Sequence, residues 1–273
     1  MTKALNTPEN APKSTKQKVL SIVKNTLRFA AIAAVWLALW QFAHMLVRKS
    51  ILLPSPAETL AALVRLSGTG ELWSAVGSSL LRIMAGYLSG MVFGCLLAVV
   101  TSFSRLLKDF LHPLMVIMKT TPVASFIILA VVWLKSANVP AFTVALIVAP
   151  IFWSNIYTGI FATDKKLIEM AKMFRFSRRS MITKLYIPSV MPYFHSAMTV
   201  GIGMAWKAGV AAEVICNPGN SIGSGLYDSK IYLETDTMFA WTVMVIILSI
   251  ILEKAVVSIL NRTLGRRFSY DKA

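Results

Sequence analysis

Six long apolar runs recur along the 273-residue chain, and they constrain its fold more than any other feature. A bilayer hydrocarbon core about 30 Å thick needs roughly 20 apolar residues of helix to cross it. No long alternation of apolar and polar residues competes with these runs, so a helical bundle is favoured over a β-barrel. The sequence therefore predicts an all-α membrane protein with about six transmembrane helices. Their approximate ranges are 27–47, 75–101, 109–134, 140–162, 190–212 and 238–260.

The charge content indicates the same class of protein. Charged residues make up only 15% of the chain, against about 25% in an average soluble domain, and the mean hydropathy is +0.65. A net charge of +16 would suggest nucleic acid binding on a water-soluble surface, but here the Lys and Arg residues fall largely between the apolar runs. We therefore expect the lipid bilayer as a partner and no nucleic acid.

Basic residues are distributed unequally between the two sides that the runs define. Cytoplasmic loops are enriched in Lys and Arg, which sets the orientation of a membrane protein. With the N-terminus inside, the cytoplasmic segments hold 20 of these residues and the opposite side holds five. The sequence therefore predicts that both termini are cytoplasmic. The cytoplasmic segments in this count are 1–28, 102–108, 163–188 and 254–273.

These patterns divide the chain into five segments. The N-terminal segment is polar and is expected to be disordered or loosely helical. The first apolar run has no small-residue cleavage pattern, so we expect it to be retained as a span and not removed as a signal peptide. In order, the segments are a cytoplasmic polar tail (1–26), a first transmembrane helix (27–52), an extracytoplasmic amphipathic segment (53–72), a transmembrane core (73–262) containing a loop at 163–188, and a cytoplasmic tail (263–273).

The second apolar run carries three glycines, Gly86, Gly90 and Gly94, at intervals of four residues. That spacing puts them on one face of a helix, where a neighbouring backbone can approach closely. The stripe is consistent with packing inside one subunit and with a seam between two subunits. The sequence predicts a packing stripe and leaves its partner open.

The cytoplasmic loop after Phe161 is basic and amphipathic. Asp164 can cap a first short helix and Ser177 a second one, before Pro188 starts the fifth span. The periodicity alone is equally consistent with an interfacial helix on anionic lipid and with a more specific role. The apolar face of the first helix, at positions i, i+3, i+4 and i+7, consists of Leu167, Met170, Ala171 and Phe174.

The residue identities in this loop resemble the EAA loop of binding-protein-dependent ABC importer permeases. That motif reads E-A-A, three residues, G, nine residues, I, one residue, L-P. The positions that match it, with Leu and Ile exchanged, are Glu169, Ala171, Leu185, Ile187 and Pro188. Two residues depart from it, Met170 in place of Ala and Arg175 in place of Gly. If that Gly has a positive φ, Arg175 carries strain of about 1 kcal/mol, or the turn is reshaped.

Further motifs resemble the type I branch of this family that contains sulfonate, nitrate and taurine permeases. Residues 53–56 resemble its L-P-S-P segment, and residues 79–86 resemble its S-L-x-R-x-x-x-G element. The likeness runs from about residue 53 to residue 260, which is most of the chain. Its later elements are matched by His112, Pro113, Leu114, Lys119, Pro122 and Trp133, and then by Trp206, Ala212, Glu213, Ile222, Gly223 and Leu226.

The resemblance implies a permease subunit with the type I ABC importer fold in a bacterial inner (plasma) membrane. Two permease copies, expected to form a homodimer, would make the path, two ABC ATPase subunits would bind below, and an extracytoplasmic substrate-binding protein would deliver the solute. The loop would carry coupling helices set in a groove of the ATPase. The residues expected at that contact are Leu167, Glu169, Met170, Ala171, Phe174, Arg175 and Pro188.

The sequence contains no enzymatic constellation. It has no G-x-x-x-x-G-K-[ST] loop, so we expect ATP and Mg to be bound by the partner ATPase and no cofactor or metal in this chain. His44, His112 and His195 are scattered without a neighbouring carboxylate or nucleophile. Cys95 and Cys216 indicate neither a disulfide framework nor a metal site.

Four charged residues fall inside the predicted spans: Arg82, Lys119, Lys207 and Glu213. Charges inside a membrane are costly and usually face a cavity or a partner, so these residues are candidates for the translocation path. Three bases against one acid favour a small anionic or zwitterionic solute, such as a sulfonate, taurine or nitrate. The alternatives are that Arg82 and Glu213 snorkel or pair, and that Lys119 lies in a helix contact.

Two rival functions are open on the sequence alone. A secondary transporter driven by an ion gradient predicts a carboxylate relay and an internal repeat, and we find neither. A membrane scaffold that binds lipid head groups through its basic loops predicts function without a soluble partner.

Overall fold

The structure, a computed structural model, describes residues 15–264 and consists of helices joined by short connections. Between these residues it has no β-strand, which confirms the predicted all-α class. The predicted tails at 1–26 and 263–273 lie partly outside the described range, and α1 already begins at Thr15. In chain order the helices are α1 (Thr15–Val47), α2 (Pro56–Ser67), α3 (Gly70–Phe103), α4 (Arg105–Thr120), α5 (Val123–Trp133), α6 (Val139–Phe161), α7 (Lys165–Met173), α8 (Arg178–Met181), α9 (Ile187–Cys216), α10 (Ile222–Ile231) and α11 (Thr235–Leu264).

Five helical stretches of the described chain are long and apolar enough to cross a membrane. They become six when the bent pair α4–α5 is counted as one span. This number agrees with the sequence prediction. The five stretches are Thr26–Val47, Gly70–Phe103, Val139–Phe161, Arg178–Cys216 and Thr235–Leu260.

The third predicted span, 109–134, is not one straight helix. α4 and α5 meet at an angle of 104° across Thr121 and Pro122. Thr121 is extended, with a ψ of 132°, because the proline ring disfavours the α conformation in the residue before it. Pro122 also has no N–H with which to continue the hydrogen bonds of α4. The prediction of a continuous helix is therefore wrong at this point.

The glycine stripe of α3 faces α6 of the same chain. A Cβ atom on Gly90 would lie 2.8 Å from the carbonyl oxygen of Ala145, and Cβ atoms on Gly86 and Gly94 would collide with the α6 backbone in the same way. Only glycine allows the two backbones to approach this closely. Of the two interpretations of the stripe, the structure supports packing inside one subunit.

Large aromatic side chains fill the core between α3, α6 and α9. Tyr87, Phe152 and Trp206 are almost completely buried. The Tyr87 hydroxyl donates to the carbonyl of Met198 at 3.2 Å, and the Trp206 indole N–H donates to the carbonyl of Val245 at 3.1 Å. These bonds satisfy the polar atoms and hold α9 against α3 and α11.

α1 and α2 meet at the end of the bundle where α3 begins. The indole N–H of Trp40 on α1 donates to the carbonyl of Pro54 at 3.0 Å. α2 starts with a capping box, in which Ser55 Oγ accepts the N–H of Glu58 at 3.1 Å and the Glu58 carboxylate accepts the N–H of Ser55 at 2.8 Å. The hydrogen bond from the Ser55 backbone is the main reason why the pKa of Glu58 is lowered.

Candidate functional site

Local capping signals fold the loop between α6 and α9. Asp164 precedes α7, and its Oδ1 accepts the N–H of Lys166 at 2.8 Å. Ser177 precedes α8, and its Oγ accepts the N–H of Ser180 at 3.2 Å. Both predicted caps are confirmed, and they give the loop a defined helical shape.

α7 ends in a turn that needs a left-handed residue, and that residue is Arg175, with a φ of +50°. The N–H of Phe176 donates to the carbonyl of Ala171 at 2.9 Å, and the N–H of Arg175 donates to the carbonyl of Lys172 at 3.0 Å. This is the Schellman hydrogen-bond pattern, in which glycine usually occupies the position of Arg175. A side chain in this conformation costs about 1 kcal/mol. Of the two expectations for Arg175, the turn therefore keeps its shape and the residue carries the strain.

α7 leaves most of its apolar face uncovered by the rest of residues 15–264. Met170 is 42% exposed, Leu167 44% and Phe174 72%. Met173, which lies outside the predicted apolar face, is 83% exposed. Ala171, the fourth residue of the predicted face, is fully buried. We call Leu167, Met170, Met173 and Phe174 the α7 patch, since exposed apolar residues of this kind mark a contact with a partner or with the membrane.

Charged side chains surround the α7 patch. Glu169 is exposed and forms no ion pair with any residue that the structure describes. Lys184 lies over the ring of Phe176, 5.8 Å from its centroid. The rim is therefore mainly positive, which favours a partner with acidic groups around an apolar groove. Its other exposed basic residues are Lys165, Lys166, Lys172, Arg175, Arg178 and Arg179.

α8 does not end before the fifth span, which corrects the expectation that Pro188 starts a separate helix. The chain stays helical through a π turn (Ile182–Tyr186), in which the N–H of Ile187 donates to the carbonyl of Ile182, five residues back. Pro188 follows directly and has no N–H to donate, so the helix widens at this point instead of breaking. α8 and α9 therefore belong to one continuous helical stretch, Arg178–Cys216.

At the opposite end of the bundle, Arg82 and Glu213 form an ion pair. Arg82 Nη1 lies 3.6 Å from Glu213 Oε1. Glu213 Oε2 accepts hydrogen bonds from the Ser79 hydroxyl at 2.7 Å and from the N–H of Gly223 at 3.3 Å. Glu213 is 0% exposed, so its partners must replace the water that it loses on burial. Of the alternatives for these two charges, pairing is the one observed.

The same network fixes the segment that leads into α10. The N–H of Ile222 donates to Ser79 Oγ at 2.9 Å, and Arg82 Nη1 donates to the carbonyl of Asn220 at 3.4 Å. The Ser78 hydroxyl donates to that carbonyl as well. We call Ser79, Arg82, Glu213 and the backbone of 220–223 the α10 network. It joins α3, α9 and the start of α10 into one unit.

Lys119 and Lys207 lie outside the α10 network. Both side chains are exposed, and neither forms an ion pair within the described range. Lys119 is the residue before the end of α4, next to the break at Thr121 and Pro122. Lys207 lies on α9. The four charges therefore separate into one ion pair, in which Glu213 is buried and Arg82 is partly exposed, and two exposed lysines.

These features define a helical membrane protein with several spans and an uncovered interaction surface at one end. Residues 90–270 match the family described as "Binding-protein-dependent transport system inner membrane component", and the chain belongs to that family. It is a permease subunit of an ABC importer in the bacterial inner membrane. The resemblance seen in the sequence motifs is confirmed.

Relatives align over most of the chain. The putative aliphatic sulfonates transport permease protein SsuC of Bacillus subtilis (strain 168) is 26% identical over 88% of this chain and 87% of its own. The taurine transport system permease protein TauC of Escherichia coli (strain K12) is 23% identical over 84% and 85%. The nitrate import permease protein NrtB of Synechocystis sp. is 26% identical over 78% and 81%. These matches favour an importer permease over the secondary transporter and the scaffold.

Solved structures share the fold. A bacterial ABC transporter involved in the import of the acidic polysaccharide alginate has a chain with a TM-score of 0.61 and 13% identity, over 90% of this chain and 99% of that one. An amino acid ABC transporter has one with a TM-score of 0.61 and 15% identity, over 75% and 97%. The predicted ABC importer permease fold is therefore confirmed.

Proposed function

We propose that this permease imports a small anionic or zwitterionic solute, such as a sulfonate, taurine or nitrate, with energy from ATP that a separate ATPase hydrolyses. SsuC, TauC and NrtB are named for solutes of these kinds. The single observation that carries the coupling to an ATPase is the α7 patch. It is apolar, held in a defined shape, and uncovered by the described chain.

The α7 patch docks in a groove of the ATPase, with Glu169 at the edge of the contact. Burial of each large apolar side chain contributes about 1–2 kcal/mol. The buried Ala171 and the turn at Arg175 set the angle of the patch relative to the bundle. When the ATPases close on ATP they push α7, and the continuous helix through Pro188 tilts α9. Alternating access follows as a rigid-body motion.

The complex divides the labour between separate chains. Two ATPase subunits bind ATP and Mg, and the permease, whose sequence has no phosphate-binding G-x-x-x-x-G-K-[ST] loop, performs no catalysis and holds no cofactor. Two permease copies form a homodimer around the path. A substrate-binding protein delivers the solute at the α10 end.

The α7 end of the bundle faces the cytoplasm. The segments on that side hold 20 Lys and Arg residues against five on the other, and retained basic loops are cytoplasmic. Both termini are then cytoplasmic, and α2 and α10 lie on the outer side. In this orientation Lys119 and Lys207 line the path, and the pair formed by Arg82 and Glu213 closes its outer end.

Co-purification tests the proposal. The tagged permease is expressed with a candidate ATPase subunit, and the amount of ATPase that elutes with the tag is measured. Phe174→Asp puts a charge in the α7 patch and is expected to weaken the association at least tenfold, as expected for a central aromatic contact. Tyr232→Asp is the matched control, because Tyr232 is also an exposed aromatic residue, at 73%, but lies at the α10 end. Equal ATPase recovery with both variants would contradict the proposed docking surface.

A further inference from the structure

α9 has two unlike faces. The residues that pack against α3 and α6 are small and buried, among them Ala197, Gly201 and Ala205. On the opposite side of α9 the exposed residues are Ser196, Val200, Met204, Lys207 and Ala211, and Gly203 is half-buried. Lys207 is the charged residue of this uncovered face.

Lys207 lies well inside the apolar helical stretch Arg178–Cys216. It is nine residues before the end of the helix at Cys216, which is about 14 Å along the axis. A lysine stem extends over about half of that distance, so the side chain alone does not carry the ammonium group to the end of α9. An intramembrane lysine therefore needs a water-filled cavity or an anionic partner.

This chain offers no such partner among residues 15–264. Glu213 on the same helix is bound by Arg82, Ser79 and Gly223. The other ion pair of the described range joins Arg65 and Asp236. The positive charge of Lys207 is therefore left for a group that does not belong to this chain.

The space beside Lys207 is open. Gly203 lies one helical turn away on the same face, and a Cβ atom there would meet nothing within 4 Å. Gly209, on the packed face, differs, because its Cβ atom would lie 2.5 Å from Cγ1 of Ile83. The opening at Gly203 is therefore a property of the uncovered face and not of glycine in α9 generally.

We propose that Lys207 is the residue that makes the path selective for anions, by contact of its ammonium group with the acidic group of the passing solute. The assignment rests on the proposed function, since it places the uncovered face of α9 on the path. In a homodimer with two-fold symmetry, any residue that faces the path in one copy faces it in the other. The site then contains two Lys207 side chains, one from each copy, and two positive charges act on one solute.

A cysteine reporter at Gly203 measures this charge without knowledge of the natural solute. Cys95 and Cys216 are replaced by Ala, Gly203→Cys is introduced, and the complex of the permease with its ATPase is reconstituted in liposomes without the substrate-binding protein, so that the α10 end stays accessible. The rates of labelling by 2-sulfonatoethyl methanethiosulfonate, an anion, and by 2-(trimethylammonio)ethyl methanethiosulfonate, a cation, are compared. The ratio of the anion's labelling rate to the cation's is expected to fall about tenfold with Lys207→Met and to fall further with Lys207→Glu. With Lys207→Arg, which keeps the positive charge, the ratio is expected to stay unchanged.

Two controls separate the possible failures. Tyr232→Cys, at the α10 end, reports the intrinsic anion-to-cation labelling ratio of the two reagents. This ratio is expected to stay the same when Lys207 is substituted. A ratio at the Gly203 reporter that is unchanged by Lys207→Met would overturn the role of Lys207. No labelling at Gly203 while the Tyr232 reporter reacts would also overturn it, because the face would then be covered by lipid or protein. Co-elution of the ATPase with the permease is measured on the same variants. If the ATPase does not co-elute even with the parent, the proposed function fails, whatever the role of Lys207.

Discussion

The two ends of the bundle differ in which side chains they expose and which they bury. At the α7 end, large apolar side chains stay uncovered, with Phe174 72% exposed. At the α10 end, the charge of Glu213 is withdrawn from solvent and given an ion pair and two hydrogen bonds. Both arrangements cost free energy unless something compensates for them.

The two ends also differ in which groups offset this free-energy cost. The partners of Glu213 in the α10 network all belong to the same chain, so the network joins α3, α9 and α10. The α7 patch is incomplete within one chain, so its compensation must come from another molecule. One end is built as a rigid unit and the other as an interface, and the continuous helix from α8 into α9 connects them.

The largest effect is expected at the α10 end. Glu213→Ala leaves Arg82 and two hydrogen-bond donors without their buried acceptor and is expected to lower the free energy of unfolding by about 3–5 kcal/mol. Asp236→Ala is the matched control, because it breaks the exposed pair with Arg65 and is expected to cost less than about 1 kcal/mol. Denaturant unfolding in detergent micelles measures both variants. Similar losses would mean that the α10 network is no more rigid than an ordinary surface pair.

A charge reversal beside the α7 patch is expected to act on function and not on folding. Glu169→Lys replaces an acidic group of the mainly positive rim and is expected to reduce solute uptake by reconstituted complexes about tenfold, because the contact of its carboxylate with a basic group of the ATPase is lost. The free energy of unfolding of the isolated permease is expected to stay within about 0.5 kcal/mol of the parent, since Glu169 is exposed and unpaired in the described structure. Uptake at the parental rate would remove Glu169 from the coupling contact.

A smaller effect of opposite sign is expected at Arg175. Arg175→Gly relieves the strain of its positive φ and is expected to stabilise the end of α7 by about 1 kcal/mol. Hydrogen exchange of the Phe176 amide, which bonds to Ala171, is then expected to slow about fivefold. Lys172→Gly, inside α7, is the control and is expected to speed the same exchange. Faster exchange in Arg175→Gly would show that the side chain makes a compensating contact.

The smallest effect concerns the cap of α2 and depends on pH. The pKa of Glu58 is lowered from its ordinary value of 4.5 by the hydrogen bond from the Ser55 backbone. Its contribution to stability is therefore present at neutral pH and is lost as the pH falls through the lowered pKa. The difference in unfolding free energy between the parent and Glu58→Gln is expected to be greatest near pH 7 and to vanish in acid. A difference that grows in acid would contradict this assignment.

Features that depend on neighbouring residues could be predicted from the sequence. The caps at Asp164 and Ser177 are decided by residues within three positions, and the positive φ at Arg175 follows from a turn that the motif implies. The break at Pro122 has a local signal too. The prediction of one span over 109–134 rests on the length of the apolar run and does not use this signal.

Features that depend on distant residues could not be predicted in the same way. The bond between Ser79 and Glu213 joins residues 134 positions apart. The sequence therefore offers the pairing of Arg82 with Glu213 only as one alternative and does not predict the bond from Ser79. Ala171 and Met173 illustrate the same limit on a small scale. Both lie near the apolar face of α7, and only the position of the bundle decides that Ala171 is buried and Met173 is exposed.

The central claim is that the α7 patch is the surface that the ATPase covers. With Cys95 and Cys216 replaced by Ala, Met173→Cys places a thiol in the patch, and its rate of labelling by a maleimide is compared in the isolated permease and in the ATPase complex. We predict that labelling slows at least tenfold in the complex, while labelling of Tyr232→Cys is unchanged. Equal labelling of Met173→Cys in both states would contradict the claim.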